Sequence, residues 1–361
     1  MRVVVFSRHF PEYCYRYALG LARYADVLLI LDRQNAANEF DPATMPSAPR
    51  LKIKYTVLHP KRNLFALLNA IRVTLAFRPE FVHFQEIPDA ITPLVMTFVS
   101  QFTRTAVTIH DPKPHSGGDS SRPSYIFRLA RFGREVADLV VVHGGYCRNV
   151  LEAEYPRLAG KIVRSDHGIL MPPASPFTER DLRSILLFGR MEAYKGLAVL
   201  LAASDILTSR GIQHKVIVAG RGAEADRLAV EMARRPAFKV HNRYVHHSEA
   251  AALFQHCGIV VLPYLDATQS GVAAAAMANG RPVIASAVGG LNDIIKDKEN
   301  GLLVQPGDAS QLADALAWIL EDEDRLHALS KGALLTANTI MDWNRIAQEM
   351  ASEFEKHYQK T

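Results

Sequence analysis

The apolar residues of this chain come in short unbroken runs, most of them rich in β-branched side chains. Val3 to Ser7, Val27 to Leu31, Phe81 to Phe84, Ala106 to His110 and Leu139 to His143 form one series. A second series comprises Ile185 to Phe188, Lys215 to Ala219, Ile259 to Pro263, Val283 to Ser286 and Gly301 to Val304. Runs this short, separated by stretches of helical periodicity, are the pattern of parallel strands covered on both faces. They predict an α/β protein with doubly wound parallel sheets. Past Pro306-Gly307-Asp308 the spacing predicts an amphipathic helix from about Ser310 to Leu320, and a last helix from about Asp342 to Tyr358.

The passage Met171-Pro172-Pro173-Ala174-Ser175-Pro176 divides the two series, and clustered prolines continue neither helix nor strand. It reads as a linker between a first domain, 1–170, and a second, 171–340. The segment 341–361 reads as a helix that packs back toward the first domain. Two such sheets facing one another would place the carboxyl ends of their strands around a cleft, where open α/β sheets bind ligands.

Composition agrees with two folded domains: 361 residues, 48% apolar and 22% charged. No apolar run reaches the roughly 18 to 20 residues that span a bilayer, and Met1-Arg2-Val3-Val4-Val5-Phe6 reads as a buried strand, not an export signal. Cys14, Cys147 and Cys257 are odd in number and widely spaced, which fits a reducing cytoplasm and neither a disulfide framework nor a zinc site. The net charge of +5 is uneven, with 22 Lys+Arg against 15 Asp+Glu up to residue 170 and 20 against 22 beyond it. A basic first half suits an anionic membrane surface; a nucleic-acid partner is not expected. Arg128, Arg131 and Arg134 fall on one broad helical face near Tyr125, Phe127 and Phe132. That arrangement suits a membrane interface, and equally a solvated helix with a core-facing aromatic side.

Candidate chemistry gathers in the second half. Gly189 permits a sharp exit from the strand ending at Phe188, so that Arg190 and Lys195 project over the strand ends toward one ligand. Arginine offers a planar fork and lysine a compact charge, and together they neutralise a departing diphosphate without a metal ion. Ser270, Gly271 and Val272 open a helix that Asn279-Gly280 ends. Small side chains at a helix N-terminus admit a phosphate to the free backbone N–H groups.

Here the sequence resembles the family 4 glycosyltransferases, retaining enzymes of the GT-B fold, through nearly all of the second domain. The likeness is carried by Gly189-Arg190 to Lys195-Gly196, Ala219-Gly220-Arg221-Gly222, Leu262-Pro263-Tyr264, Ala276 to Val283, Gly289-Gly290 and Asn300-Gly301-Leu302-Leu303-Val304 before Pro306-Gly307-Asp308. The resemblance implies that Arg190 and Lys195 bind the donor diphosphate, with support from the Ser270-Gly271-Val272 amides. It places Arg243-Tyr244-Val245 near the nucleotide base. The family commonly carries two glutamates eight positions apart around this helix, contacting donor sugar and ribose, where this chain has Ala267 and Ala275. Asp266 adjoins the first position and is a candidate substitute. The glycine-rich turn that often follows the family's first strand is replaced by Arg8-His9-Phe10-Pro11-Glu12-Tyr13.

In the first domain His110 stands at a strand's carboxyl end, where an imidazole can donate to a sugar hydroxyl. The family places a histidine at the same strand end, beside the donor sugar. Glu86, Asp111 and His115 are weaker candidates on the acceptor side, and His167-Gly168 resembles a structural feature near the hinge. No Ser-His-Asp order, paired-carboxylate spacing, P-loop or Asp-x-Asp metal site is found, so neither a cofactor nor a metal is expected. The expected activity is transfer from a nucleotide-sugar donor to a glycan or lipid-linked acceptor in surface-polysaccharide synthesis, in the cytoplasm or at the inner membrane face. A non-catalytic nucleotide-sugar binder and a sugar-nucleotide epimerase of the same fold remain open alternatives.

Overall fold

The continuous apolar runs become all the inner strands and one edge strand of two parallel sheets, one in each of two compact units. The computed structural model describes residues 1–39, 45–56, 64–87, 89–113, 124–172 and 180–359. The first unit takes in Met1–Pro112, Ser121–Gly168 and Asp342–Thr361, the second Ile169–Met341. Most of the proline-rich passage expected as a linker, from Pro173 on, lies outside the described residues.

In chain order the first unit runs β1 (Arg2–Ser7), α1 (Pro11–Leu21), β2 (Asp26–Asp32), α2 (Arg33–Glu39), β3 (Leu51–Thr56), α3 (Leu64–Ala76) and β4 (Phe81–Gln85). It continues with α4 (Ile91–Val99), β5 (Arg104–Ile109), α5 (Ser124–Val136), β6 (Leu139–His143), α6 (Gly144–Glu154) and β7 (Ile162–Ser165). The second unit runs β8 (Asp181–Phe188), α7 (Leu197–Ser209), β9 (Lys215–Ala219), α8 (Ala223–Arg227), α9 (Ala229–Ala233), β10 (Phe238–His241) and α10 (His247–His256). Then come β11 (Cys257–Leu262), α11 (Gly271–Ala278), β12 (Val283–Ser286), α12 (Leu291–Ile294), β13 (Gly301–Val304), α13 (Ala309–Leu320) and α14 (Glu323–Thr339). A last helix, α15 (Trp343–Gln359), belongs to the first unit, where it packs on α1. A Cβ on Gly20 of α1 would lie 2.7 Å from the Trp343 carbonyl oxygen, so the absence of a side chain there is what lets the two helices meet.

The first sheet has the order β3-β2-β1-β4-β5-β6-β7 and the second β10-β9-β8-β11-β12-β13. All pairings are parallel, with registers such as Val4↔Leu28 and Val4↔Val82 in one sheet and Leu186↔Ile217 and Leu186↔Val260 in the other. Both faces of the second sheet are covered. Ile185, Leu187, Ile259 and Val261 enter one apolar cluster, while Leu186, Val260 and Leu262 enter the other, as the two-residue alternation of a strand requires.

Ten strands coincide with the apolar runs, and three further strands were not expected: β3, β7 and β10. Each lies at a sheet edge. An edge strand is half exposed, so Leu51-Lys52-Ile53-Lys54 alternates and Phe238-Lys239-Val240-His241 carries a lysine, and neither shows an unbroken run. The helix expected at Ser310–Leu320 begins one residue earlier, because Asp308 caps it by accepting from the Gln311 N–H at 2.9 Å. The helix α14, unassigned in the sequence, starts at Asp322, whose carboxylate accepts from the Asp324 and Arg325 N–H groups. All three thiols are buried and unbridged. Among the described residues no helix is long and apolar enough to cross a membrane.

Candidate active site

In the second sheet the strand order reverses between β8 and β11, and the loops leaving the carboxyl ends of these two strands run side by side. Such a reversal opens a crevice outside the strand ends, because successive crossovers depart in opposite directions. Gly189 leaves β8 with φ +116°, and its N–H donates to the Ala219 carbonyl at 3.0 Å. A Cβ on Gly220 would sit 1.9 Å from the Gly189 carbonyl oxygen, so only glycine allows this close approach. Met191 then donates to Arg221 and accepts from Glu224, which ties the loop to the start of α8.

The loop returns over the end of β11. Gly196 has φ +71° and faces the Pro263 carbonyl so closely that a Cβ would fall 1.8 Å from its oxygen. The Leu265 N–H donates to the Tyr194 carbonyl at 2.7 Å. These contacts place Lys195 over Tyr264: Nζ donates to the phenolic oxygen at 2.6 Å and lies 4.0 Å from the ring centroid. Tyr264 is buried, and burial pushes its phenol above the ordinary range while a hydrogen bond with Ser270 acts the other way. Ser270 caps α11 by accepting from the Ala273 N–H at 3.3 Å. Lysine, tyrosine, serine and helix N-terminus thus form one connected chain.

Gly189 belongs to the same place. A Cβ built on it would lie 3.8 Å from Lys195 Nζ and 4.0 Å from Val272 Cγ2. The structure therefore brings Gly189, Lys195, Ser270, Gly271 and Val272 together, and Arg190 is exposed on the same loop. With the backbone N–H groups at the start of α11 beside an ammonium group, the arrangement offers positive potential to an anion.

Other candidates fare differently. Arg243 forms a two-pronged pair with Glu249 at 2.6 and 2.8 Å, and its guanidinium also donates to the Tyr244 carbonyl. Tyr244 is exposed and Val245 buried. Asp266 is half-buried. Ala267 and Ala275 are both buried within the apolar cluster under α11, so no carboxylate stands at either position. Arg281, within the Ala276 to Val283 stretch, is buried and donates to the Phe254 and Gln255 carbonyls at the end of α10, a structural task.

In the first unit His110 is buried, and its Nε2–H donates to Gln85 Oε1 at 2.9 Å. Its ring lies 4.4 Å from that of Phe10, 5.1 Å from Tyr13 and 5.2 Å from His143. His143 in turn lies 5.2 Å from His167, and Tyr13 touches all three histidines and Trp343. Burial, and then the nearby His167, push the His110 imidazole well below the ordinary histidine range, while Asp111 acts in the opposite sense. Burial does the same to His167, held down to about 4, and to His83, held down to about 3. These are neutral imidazoles in an aromatic nest. Where the family's glycine turn is absent, Phe10 adopts the left-handed φ of +57° at the start of α1, with Arg8 paired to Asp89.

Asp111 is exposed, and His115 lies outside the described residues. Glu86 is held by Arg134 in a two-pronged pair at 2.6 and 2.8 Å, both side chains largely buried. This removes Arg134 from the arginine face expected on α5, because its guanidinium turns inward to the carboxylate; Arg128 and Arg131 remain exposed. Sequence reasoning assigned no role to Tyr264, Gln85, Tyr13 or His143. A tyrosine directly after Leu262-Pro263 was a signal for the first of these, whereas the aromatic nest draws on five separate segments. Among the described residues no group of three or more His, Cys, Asp or Glu is placed to hold a metal ion.

Residues 183–322 match the family described as Glycosyl transferases group 1. D-inositol 3-phosphate glycosyltransferase of Corynebacterium aurimucosum is 28% identical over 219 residues, 55% of this chain and 52% of that protein. The chain spans about half the length of the curated relatives it matches. Sucrose-phosphate synthase of Thermosynechococcus elongatus superposes with a TM-score of 0.75 at 21% identity, over 100% of this chain and 99% of that one. HepE of Anabaena, solved in complex with UDP-glucose, superposes with a TM-score of 0.70 at 16% identity, over 99% of this chain and 100% of that one. The fold is that of these proteins: two Rossmann-like parallel sheets of seven and six strands, the GT-B fold.

Proposed function

We propose that this chain is a retaining, metal-independent glycosyltransferase that moves a sugar from a nucleotide-diphosphate donor to an acceptor hydroxyl. The observation that carries the reading is the Lys195-Tyr264-Ser270 chain at the strand-order reversal of the second sheet, beside the N-terminus of α11. A diphosphate gains charge as its bond to the sugar breaks. Arg190, Lys195 and the Ser270-Gly271-Val272 amides stabilise that charge without reorganising, which is the largest contribution such a site offers. Arg243, Tyr244 and Val245 receive the base, Asp266 lies beside the donor, and His110 orients the sugar. The anomeric carbon exchanges its bond to the diphosphate oxygen for one to the acceptor oxygen, and the acceptor's proton passes to a donor phosphate oxygen. The match of residues 183–322 to group 1 glycosyl transferases supports the donor half of this reading.

On the same reading the acceptor is a lipid-linked glycan of surface-polysaccharide assembly, met by the first unit at the cytoplasmic membrane face, with Asp111 on that side. The test is release of nucleoside diphosphate from UDP- and GDP-sugars, with and without acceptor and with chelator present. Wild-type turnover that survives chelation and is lost in Arg190→Ala and Lys195→Ala is expected. Full transfer in those variants refutes the assigned roles. A second reading, a donor-binding protein without transferase activity, draws on the buried Ala267 and Ala275, where the family's carboxylates are missing. It predicts a donor-induced thermal shift with no nucleotide release under any condition.

A further inference from the structure

The helices α3, α4 and α5 lie side by side on one face of the first sheet, α4 packing against both neighbours. The α4–α5 seam is tight: a Cβ on Gly133 would lie 2.9 Å from the Met96 Cε and 3.4 Å from the Pro93 Cβ. Their outward side is unlike an ordinary surface. Phe65 (83% exposed) and Leu68 on α3, Leu94 and Phe98 on α4, Phe102 (63%) just beyond it, and Phe132 on α5 all stand in solvent. Phe98 and Phe102 are one helical turn apart with ring centroids at 5.4 Å, so they form a joint projection.

Charge identifies the occupant. Neither α3 nor α4 carries a carboxylate, and their single charged side chain is Arg72. On α5 the exposed charges are Arg128, Arg131 and Glu135, with Arg131 and Glu135 paired at 3.3 Å. Large exposed apolar patches mark interaction surfaces. Aromatic and leucine side chains bordered by arginines match the acyl–headgroup boundary of an anionic bilayer, the apolar groups entering it and the guanidinium groups meeting lipid phosphates. We propose that the outward face of α3, α4 and α5 docks the protein reversibly on anionic phospholipid. The surface deepens the reading of a lipid-linked acceptor, although the docking itself requires no turnover.

The test uses the full chain and vesicles of phosphatidylcholine alone or mixed equally with phosphatidylglycerol, followed by flotation at low and high salt. Wild type is expected to float with the mixed vesicles and to be released in part by salt. The triple variant F65S/F98S/F102S is expected to lose about tenfold or more of its vesicle partition, and R128Q/R131Q to lose the preference for anionic lipid. These side chains are exposed, so both variants should match the wild-type unfolding midpoint and its nucleotide release with a soluble acceptor. Flotation unaffected by the triple variant, or no flotation of wild type, overturns the proposal. Concentration-dependent dimerisation abolished by the triple variant, without vesicle binding, would assign the face to a second copy instead. Vesicle binding without nucleotide release would leave this surface standing and sink the transferase reading alone.

Discussion

Removing one oxygen atom tests the site more sharply than removing a charge. In Tyr264→Phe the ring stays, 4.0 Å below the Lys195 ammonium, but the hydroxyl that accepts from Nζ at 2.6 Å and joins it to Ser270 is gone. A hydrogen bond to a charged group contributes about 1.5–3 kcal/mol, and the retained cation–π contact about 1 kcal/mol. If the hydroxyl holds the ammonium where diphosphate charge develops, kcat/KM should fall about 10- to 100-fold, at roughly 1.4 kcal/mol per factor of ten. Lys195→Ala should lose more, because it also removes the charge. In the double variant the phenylalanine should add nothing to the loss, since the hydroxyl acts through the lysine. The assay is coupled detection of released nucleoside diphosphate, with unfolding curves to show that each variant folds. Additive losses in the double variant, or full activity of Tyr264→Phe, would refute the positioning role.

Three further outcomes follow from the geometry. Gly196→Ala places a Cβ 1.8 Å from the Pro263 oxygen at φ +71°, so the loop must move; nucleotide affinity measured by titration calorimetry should fall at least about tenfold with only modest loss of stability. Gly168→Ala drives a methyl group to within 2.2 Å of the Trp343 indole, and overpacking should lower stability by about 1–3 kcal/mol in urea titrations; an unchanged midpoint would mean that the indole is free to yield. Acidification should weaken the first unit. His83, His110, His143 and His167 have folded pKa values pushed below that of the unfolded chain by burial, so below about pH 6.5 the unfolded state takes up protons that the native state excludes. Their stabilising contribution is complete above that pH and is lost as the pH falls toward 3, at up to about 1.4 kcal/mol per pH unit for each histidine. Urea midpoints that stay flat from pH 7.5 to about pH 5.5 would contradict it.

The central strands were legible because a strand buried on both faces must be apolar throughout, and such a run is visible without knowing its neighbours. Gly189, the helix start at Ser270, and the cationic pair Arg190 and Lys195 were legible for a similar reason. Each reports a local requirement, such as a positive φ, a cap or a charge, within a few residues. Edge strands β3, β7 and β10 were not, since half-exposed positions carry no distinctive run.

What the tertiary structure decided is the pairing of groups far apart in sequence. Lys195 and Tyr264 meet across 69 positions, Glu86 and Arg134 across 48, and His110 and Gln85 across 25. No spacing rule encodes such partners, because they are fixed by which strands lie adjacent and where the order reverses. The same holds for burial: Ala267 and Ala275 could be read as missing carboxylates, but only the packing under α11 shows them sealed in apolar surroundings. Sequence by itself determined the kind of sheet and the presence of a loop after β8 that carries Arg190 and Lys195 between two glycines. The fold decided which side chains that loop leans on, since desolvation and contact depend on three-dimensional neighbours.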